Sequence, residues 1–244
     1  MTRAFGDAPP DPHRMIALQD RGTRMRQLPA TFVTGARGTQ RLEEYPQVLA
    51  DVVRAITEVS GARTVVDSSK LPPYGGILER APGVDLRVVH LVRDPRATAY
   101  SWGQRKHQPD RGAPDVMQMQ TPVRAAALWS AWNAAAEVLG RRLGARYMRL
   151  RYEDLIADPA TALRAVTRII DAPDAALPLV DDHHATLAPS HTVAGNPDRF
   201  HGGSVELRLD DRWRRELTSR DALTVSIISA PLMKRYGYRL GTTH

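Results

Sequence analysis

The chain has 244 residues, 42% of them hydrophobic and 25% charged, a composition suited to a globular protein with one sizeable core. Its net charge of +7, carried almost wholly by arginine, favours partners with planar anionic groups such as phosphate or sulfate. The absence of cysteine excludes disulfides and thiolate metal sites, and with no signal-like leader and no run of about 18 apolar residues the expectation is a cytoplasmic protein without a membrane span.

Residues 1–13 are rich in Pro, Asp and Gly and read as a loose lead-in. From 14 to 60 the expectation is mainly helical: a basic stretch over 14–29, then Tyr45, Val48, Leu49, Val52, Val53 and Ile56 at close to 3.6-residue spacing over 42–59. Residues 61–240 read as the core. Three β-rich apolar runs, at 64–66, 86–92 and 147–150, alternate with helical patterns, as parallel strands joined by crossover helices do, so the class is α/β. Asp94-Pro95 and Asp158-Pro159 each place a capping carboxylate before a proline suited to the first helical position. Apolar stripes predict helices over 122–143 and 160–170, and a long loop rich in Asp, His, Pro and Gly follows over 171–204. A last helix over 221–236, bent near Pro231 and stopped by Gly237, closes the chain.

The segment with most chemistry is the end of the second run, where Arg93-Asp94-Pro95-Arg96 turns a strand directly into a helix. Helix N-termini carry unsatisfied amides and a positive dipole end, and Arg93 and Arg96 bracket that end with forked donors suited to phosphate oxygens. Ser101 falls seven residues after Asp94, close to two turns and roughly 10 Å further along the same face. Tyr152-Glu153-Asp154 reads as a structural turn, with an acid capping or pairing with an arginine. His183-His184 reads as a solvated loop pair, since no spaced third metal ligand accompanies it.

Arg93, Asp94-Pro95-Arg96 and Ser101 together resemble the 3′-phosphate-binding motif of sulfotransferases that use 3′-phosphoadenosine 5′-phosphosulfate. Asp67-Ser68-Ser69-Lys70, Arg151-Tyr152-Glu153-Asp154-Leu155 and Gly195-Asn196-Pro197-Asp198-Arg199-Phe200 through Trp213 resemble that family in the same order, from about residue 60 to Tyr238. The resemblance implies a P-loop NTPase-like parallel sheet flanked by helices, one sulfotransferase-like domain over 1–244, and transfer of a sulfuryl group from that donor to a hydroxyl or amine acceptor. It implies that Arg93 and Ser101 hold the donor's 3′-phosphate, with Arg96, Arg199 and His191 as further contacts and no metal. Asp67 stands where some members present a base, and Lys70 could neutralise charge on the moving group. The equal alternative is that Asp67 and Ser68 cap a helix beginning near residue 71.

One departure marks the front of the chain. The family's 5′-phosphosulfate loop follows a first strand, whereas here only Thr34-Gly35-Ala36-Arg37-Gly38-Thr39 precedes Asp67, and no apolar strand leads into it. The expectation is a sheet missing its first strand and loop, which would leave backbone groups unpaired and make the chain depend on an oligomer or partner supplying the strand. The alternative function is then an inactive or partner-dependent nucleotide-binding fragment. The acceptor, a small molecule, carbohydrate or lipid, is not written in the sequence; irregular residues 104–120 are the candidate lid. Nucleic acid is not expected, because no basic and aromatic platform is present.

Overall fold

The computed structural model describes Phe5 and residues 10–23, 44–68, 71–105, 118–187 and 202–241. Lys70, His191, Arg199, the Thr34 to Thr39 stretch and most of the candidate lid lie outside the described residues. The chain folds as two compact units, one of residues 1–88 and 135–148, the other of 89–134 and 149–244.

In the first unit, helices α1 (Pro12–Thr23), α2 (Glu44–Ser60) and α3 (Pro72–Leu78) meet around buried Leu18, Tyr45 and Ile77. The 3.6-residue apolar spacing of the sequence is what places Tyr45 and Leu49 on the packed face of α2. Gly75 lets Leu139 approach so closely that an added Cβ would stand 2.8 Å from its Cδ2, which only glycine permits without displacement.

The second unit contains most of β1 (Val88–Val92), the helix α4 (Pro95–Gly103), the greater part of α5 (Pro122–Leu143) and the end of β2 (Tyr147–Arg151). Helices α6 (Tyr152–Ala157) and α7 (Pro159–Ile169), strands β3 (His184–Leu187) and β4 (Gly203–Glu206), and helices α8 (Trp213–Glu216) and α9 (Ser219–Arg235) follow. Val92, 1% exposed, packs with Trp129 of α5 and with Met233, Tyr236 and Tyr238 at the C-terminal end. A second cluster joins Ala99 of α4, Ala125 and Ala126 of α5 and Val225 of α9; the small side chains allow the helices to pack closely. Complete burial of a Met or Val side chain is worth about 1.5–3 kcal/mol, so Met233 and Val225 anchor α9.

Both proline-led helices start as the sequence indicates. The Asp94 carboxylate accepts from the Arg96 amide at 2.8 Å, and the Asp158 carboxylate from the Thr161 amide at 3.0 Å. Helix α9 ends in a Schellman turn: Tyr238 N–H donates to Met233 O at 2.8 Å and Gly237 N–H to Lys234 O at 3.2 Å, with Gly237 at φ +77°. Pro231 sits inside α9, where it cannot donate to the carbonyl of Ile227; that residue is 65% exposed, so solvent can take the donor's place.

The α/β, P-loop NTPase-like parallel-sheet expectation is not what the chain adopts. Among the described residues the fold is largely helical, with two two-stranded sheets, β1 with β2 and β3 with β4. The run at 64–66 forms no strand and leaves Val66 87% exposed: three β-branched residues supply local preference but no hydrogen-bonded neighbour, and strands need one. On β1, Val89 and Leu91 are exposed and Val92 buried, so the strand is covered by α5 and α9 on one side rather than sandwiched between helical layers. The expected loop of 171–204 is also interrupted, because β3 pairs antiparallel with β4 from His184 opposite Glu206 to Leu187 opposite Gly203.

Candidate functional site

The end of β1 carries the site. Past Val92 the backbone leaves the strand, Asp94 takes the N-cap position, and Pro95 and Arg96 open α4. Three contacts hold this corner: the Asp94 amide donates to Glu153 Oε1 at 2.9 Å, the Trp129 indole N–H to the Arg93 carbonyl at 3.0 Å, and the Tyr238 hydroxyl to Glu153 Oε2 at 2.8 Å. Glu153 of the Tyr-Glu-Asp turn is thus a structural acceptor joining the start of α6 to the start of α4 and to the C-terminal Tyr238. Burial, and then the neighbouring Glu153 charge, push the Tyr238 hydroxyl well above its ordinary pKa, so it remains a donor.

A cavity of about 310 Å³ opens beside this corner, with Arg93, Arg96, Arg151, Asp210, Trp213 and Tyr238 among its walls. The two arginines of the sequence motif meet different fates there. Arg96 is 5% exposed; its Nε and Nη2 donate to the two Asp94 carboxylate oxygens at 3.0 and 2.7 Å, and its Nη1 donates to the Gly241 carbonyl. The same guanidinium lies 4.6 Å from the Trp213 ring centroid. Its charge is matched and its fork is occupied.

Arg93 is held more loosely. Its Nη2 donates to the Asp210 carbonyl at 3.0 Å and stands 3.3 Å from that residue's carboxylate, and its guanidinium carbon is 5.0 Å from the Tyr152 ring centroid. Its Nε is buried without a hydrogen-bond partner among the described residues. The Asp210 carboxylate is engaged mainly by Arg212, at 2.8 and 3.0 Å; those bonds, more than Arg93, hold its pKa well below the usual carboxylate range. Arg93 therefore keeps donor capacity that an oxyanion in the cavity could use.

The N-terminus of α4 offers less than the sequence suggests. Its Arg96 amide is taken by the Asp94 side chain and its Thr98 amide by the Asp94 carbonyl at 2.9 Å, so both are already engaged. Ser101 is half-buried two turns along α4 and is not among the cavity-lining residues. Asp67 lies in the first unit, does not line this cavity, and hydrogen-bonds the Tyr74 hydroxyl. Leu71 is the N-cap of α3 and makes no side-chain hydrogen bond there. Burial, and then the Asp67 charge, raise both Tyr45 and Tyr74 above the ordinary tyrosine pKa.

The sulfotransferase-family model matches residues 13–176, which includes Arg93, Ser101 and the Tyr-Glu-Asp turn. The chain belongs to the sulfotransferase family. It is similar to human carbohydrate sulfotransferase 3, at 29% identity over 179 residues that cover 67% of this chain and 36% of that protein. It is also similar to human carbohydrate sulfotransferase 2, at 30% identity over 148 residues, 44% of this chain and 26% of that protein. The chain thus spans roughly a third or less of the length of these relatives. No solved structure matches it.

Family membership gives the cavity a context. Several walls went unremarked in the sequence. Asp210, Gly237 and Tyr238 lie more than 100 residues from Arg93 in the chain, and only the folded C-terminus brings them to it. Arg151 had a local signal, since it directly precedes the Tyr-Glu-Asp turn at the end of a strand, as Arg93 does at the end of β1. Among the described residues no group of three His, Cys, Asp or Glu could hold a metal ion, and no helix is long and apolar enough to cross a membrane.

Proposed function

We propose that this chain binds 3′-phosphoadenosine 5′-phosphosulfate, with Arg93 and Ser101 on the donor's 3′-phosphate, and transfers its sulfuryl group to a hydroxyl or amine acceptor. The observation that carries this reading is the Arg93 guanidinium, which lines the cavity with a buried Nε unpartnered among the described residues and is only secondarily engaged by Asp210. The names of the two human relatives support a carbohydrate hydroxyl as acceptor. In the transfer, the acceptor oxygen forms a bond to sulfur as the bond from sulfur to the bridging oxygen breaks. The electron pair leaves with adenosine 3′,5′-bisphosphate and the acceptor proton passes to a base. Asp67 is the proposed base and Lys70 the proposed neutralising cation. Arg96 contributes by fixing Asp94 and the backbone on which Arg93 sits, and Arg199 and His191 remain proposed late-loop contacts.

The test is calorimetric titration of the chain with adenosine 3′,5′-bisphosphate, followed by transfer of radiolabelled sulfate to carbohydrate acceptors. Saturable binding that weakens on the order of ten- to a hundred-fold in Arg93→Ala, with a preserved fold, is the expected result. Binding without transfer to any acceptor would select the nucleotide-binding alternative. An Arg93→Ala variant that binds as the wild type does would overturn the assignment of the 3′-phosphate to Arg93.

A further inference from the structure

We infer that Arg151 is a second binding residue for the donor's 3′-phosphate, reaching it from the same cavity as Arg93; this rests on the nucleotide reading above. Arg151 is the last residue of β2, and β2 is the strand paired with β1, whose end delivers Arg93. Both side chains line the same cavity.

The charge pairing around the cavity leaves Arg151 loosely matched. Asp94 is matched by Arg96 at 2.7 Å, and Asp210 by Arg212 at 2.8 Å. Glu153, which could neutralise Arg151, instead directs one oxygen to the Asp94 amide and the other to the Tyr238 hydroxyl, at 2.9 and 2.8 Å. Arg151 Nε is left 3.9 Å from the nearest oxygens of Glu153 and Asp154, beyond hydrogen-bonding distance, and it is buried without a hydrogen-bond partner among the described residues. Arg151 also meets the Tyr238 hydroxyl, as Arg93 meets the Asp210 carbonyl, and both wall arginines keep a buried Nε with no partner among the described residues.

Each is also seated in the same way. The guanidinium carbon of Arg93 lies 5.0 Å from the Tyr152 ring centroid, and that of Arg151 lies 4.6 Å from the Tyr238 ring centroid. A ring face orients a guanidinium and offsets part of its desolvation without consuming its N–H edge, which stays available to an oxyanion in its plane. Gly237, with φ +77°, leaves the space next to Arg151 clear: an added Cβ there would lie 3.6 Å from Nη1. A phosphate dianion has enough oxygens for two guanidinium forks, whereas one arginine leaves half its charge unmet.

The experiment compares adenosine 3′,5′-bisphosphate with adenosine 5′-monophosphate, which lacks the 3′-phosphate, on wild type, Arg151→Met, Arg151→Lys and Arg93→Lys, each checked by circular dichroism and thermal melting. The expected result is an Arg151→Met loss of on the order of ten- to a hundred-fold for the bisphosphate and none for the monophosphate, with Arg151→Lys intermediate. Equal losses for both nucleotides would mean that Arg151 only supports the fold, and would overturn the inference. Wild-type affinity in both Arg151 variants, with Arg93→Lys weakened, would overturn it while leaving the nucleotide reading intact. A folded wild type that binds neither nucleotide would overturn both. Should Arg151→Met fail to fold, the lysine variant decides: unchanged discrimination between the two nucleotides would overturn the inference.

Discussion

Removing the Asp94 carboxylate should destabilise this protein more than any other single change at the cavity corner. Asp94 is 6% exposed and does two things at once: it caps α4 through the Arg96 amide and neutralises the Arg96 guanidinium through both carboxylate oxygens. In Asp94→Ala the cap is lost, at a cost of about 1 kcal/mol, and a buried cation loses its partner, at about 3–5 kcal/mol. Because one carboxylate serves both, the two costs overlap, and about 4 kcal/mol is expected in total. For a chain of this size that corresponds to a fall of roughly 8–16 °C in Tm. Urea unfolding followed by tryptophan fluorescence measures it, and Asp94→Asn separates the parts, since the amide oxygen still caps α4 but no longer neutralises Arg96. The double variant Asp94→Ala with Arg96→Met should be more stable than Asp94→Ala alone. A single-variant loss below about 1 kcal/mol would show that Arg96 is neutralised elsewhere and refute this account.

Three further outcomes follow from the same corner. Gly237→Ala should cost about 1 kcal/mol in a thermal or urea melt, from the left-handed backbone rather than from a clash, because its Cβ would meet Arg151 only at ordinary contact distance. Asp210 has a depressed folded-state pKa, so its stabilising contribution is present above the unfolded carboxylate value near ~3.9 and is lost as pH falls through the lower folded value. Asp210→Asn should flatten the acid limb of the stability profile over that range. Tyr238 has the opposite sign: its raised pKa gives stability that is complete below the unfolded tyrosine value near ~10 and is lost as pH rises through the folded value. Tyr238→Phe should cost about 1–2 kcal/mol at neutral pH through the lost bond to Glu153, and soften the alkaline decline seen by circular dichroism.

Local signals in the sequence were legible where one residue decides one conformation. Asp94 and Asp158 cap their helices, Gly237 stops α9, and the apolar stripe from 122 to 143 gives α5 its observed bounds. What the sequence did not reveal is pairing. The β-branched residues at 64–66 look like a strand in isolation, but a strand is a relation between two segments, and here none is formed. The converse holds for β3 and β4, which pair even though His-Ala-Thr-Leu and Gly-Ser-Val-Glu carry few apolar residues and little alternation. Sheet class inferred from three separated apolar runs therefore overreached, while the strand-to-helix turn at Arg93, which depends only on neighbouring residues, kept its expected form.

The fates of Arg93 and Arg96 illustrate why a motif specifies a site only in part. In the sequence they stand three residues apart and have the same side chain; both could be assigned to phosphate. The geometry separates them through Asp94. That carboxylate already serves as the helix cap, and Arg96, one residue into the helix, folds back upon it from the interior, where Trp213 covers its face. Arg93, on the strand side of the cap, cannot share the same oxygens and is left with a backbone carbonyl and a carboxylate that Arg212 already satisfies. An arginine with a dedicated buried counter-ion is costly to recruit for a ligand, since its partner must be desolvated and abandoned; one with a shared counter-ion is not. The same reasoning, applied to Glu153 and its two neutral donors, leaves Arg151 recruitable as well. The anion-binding capacity proposed for this corner thus rests on how its carboxylates are already occupied rather than on how many arginines surround it.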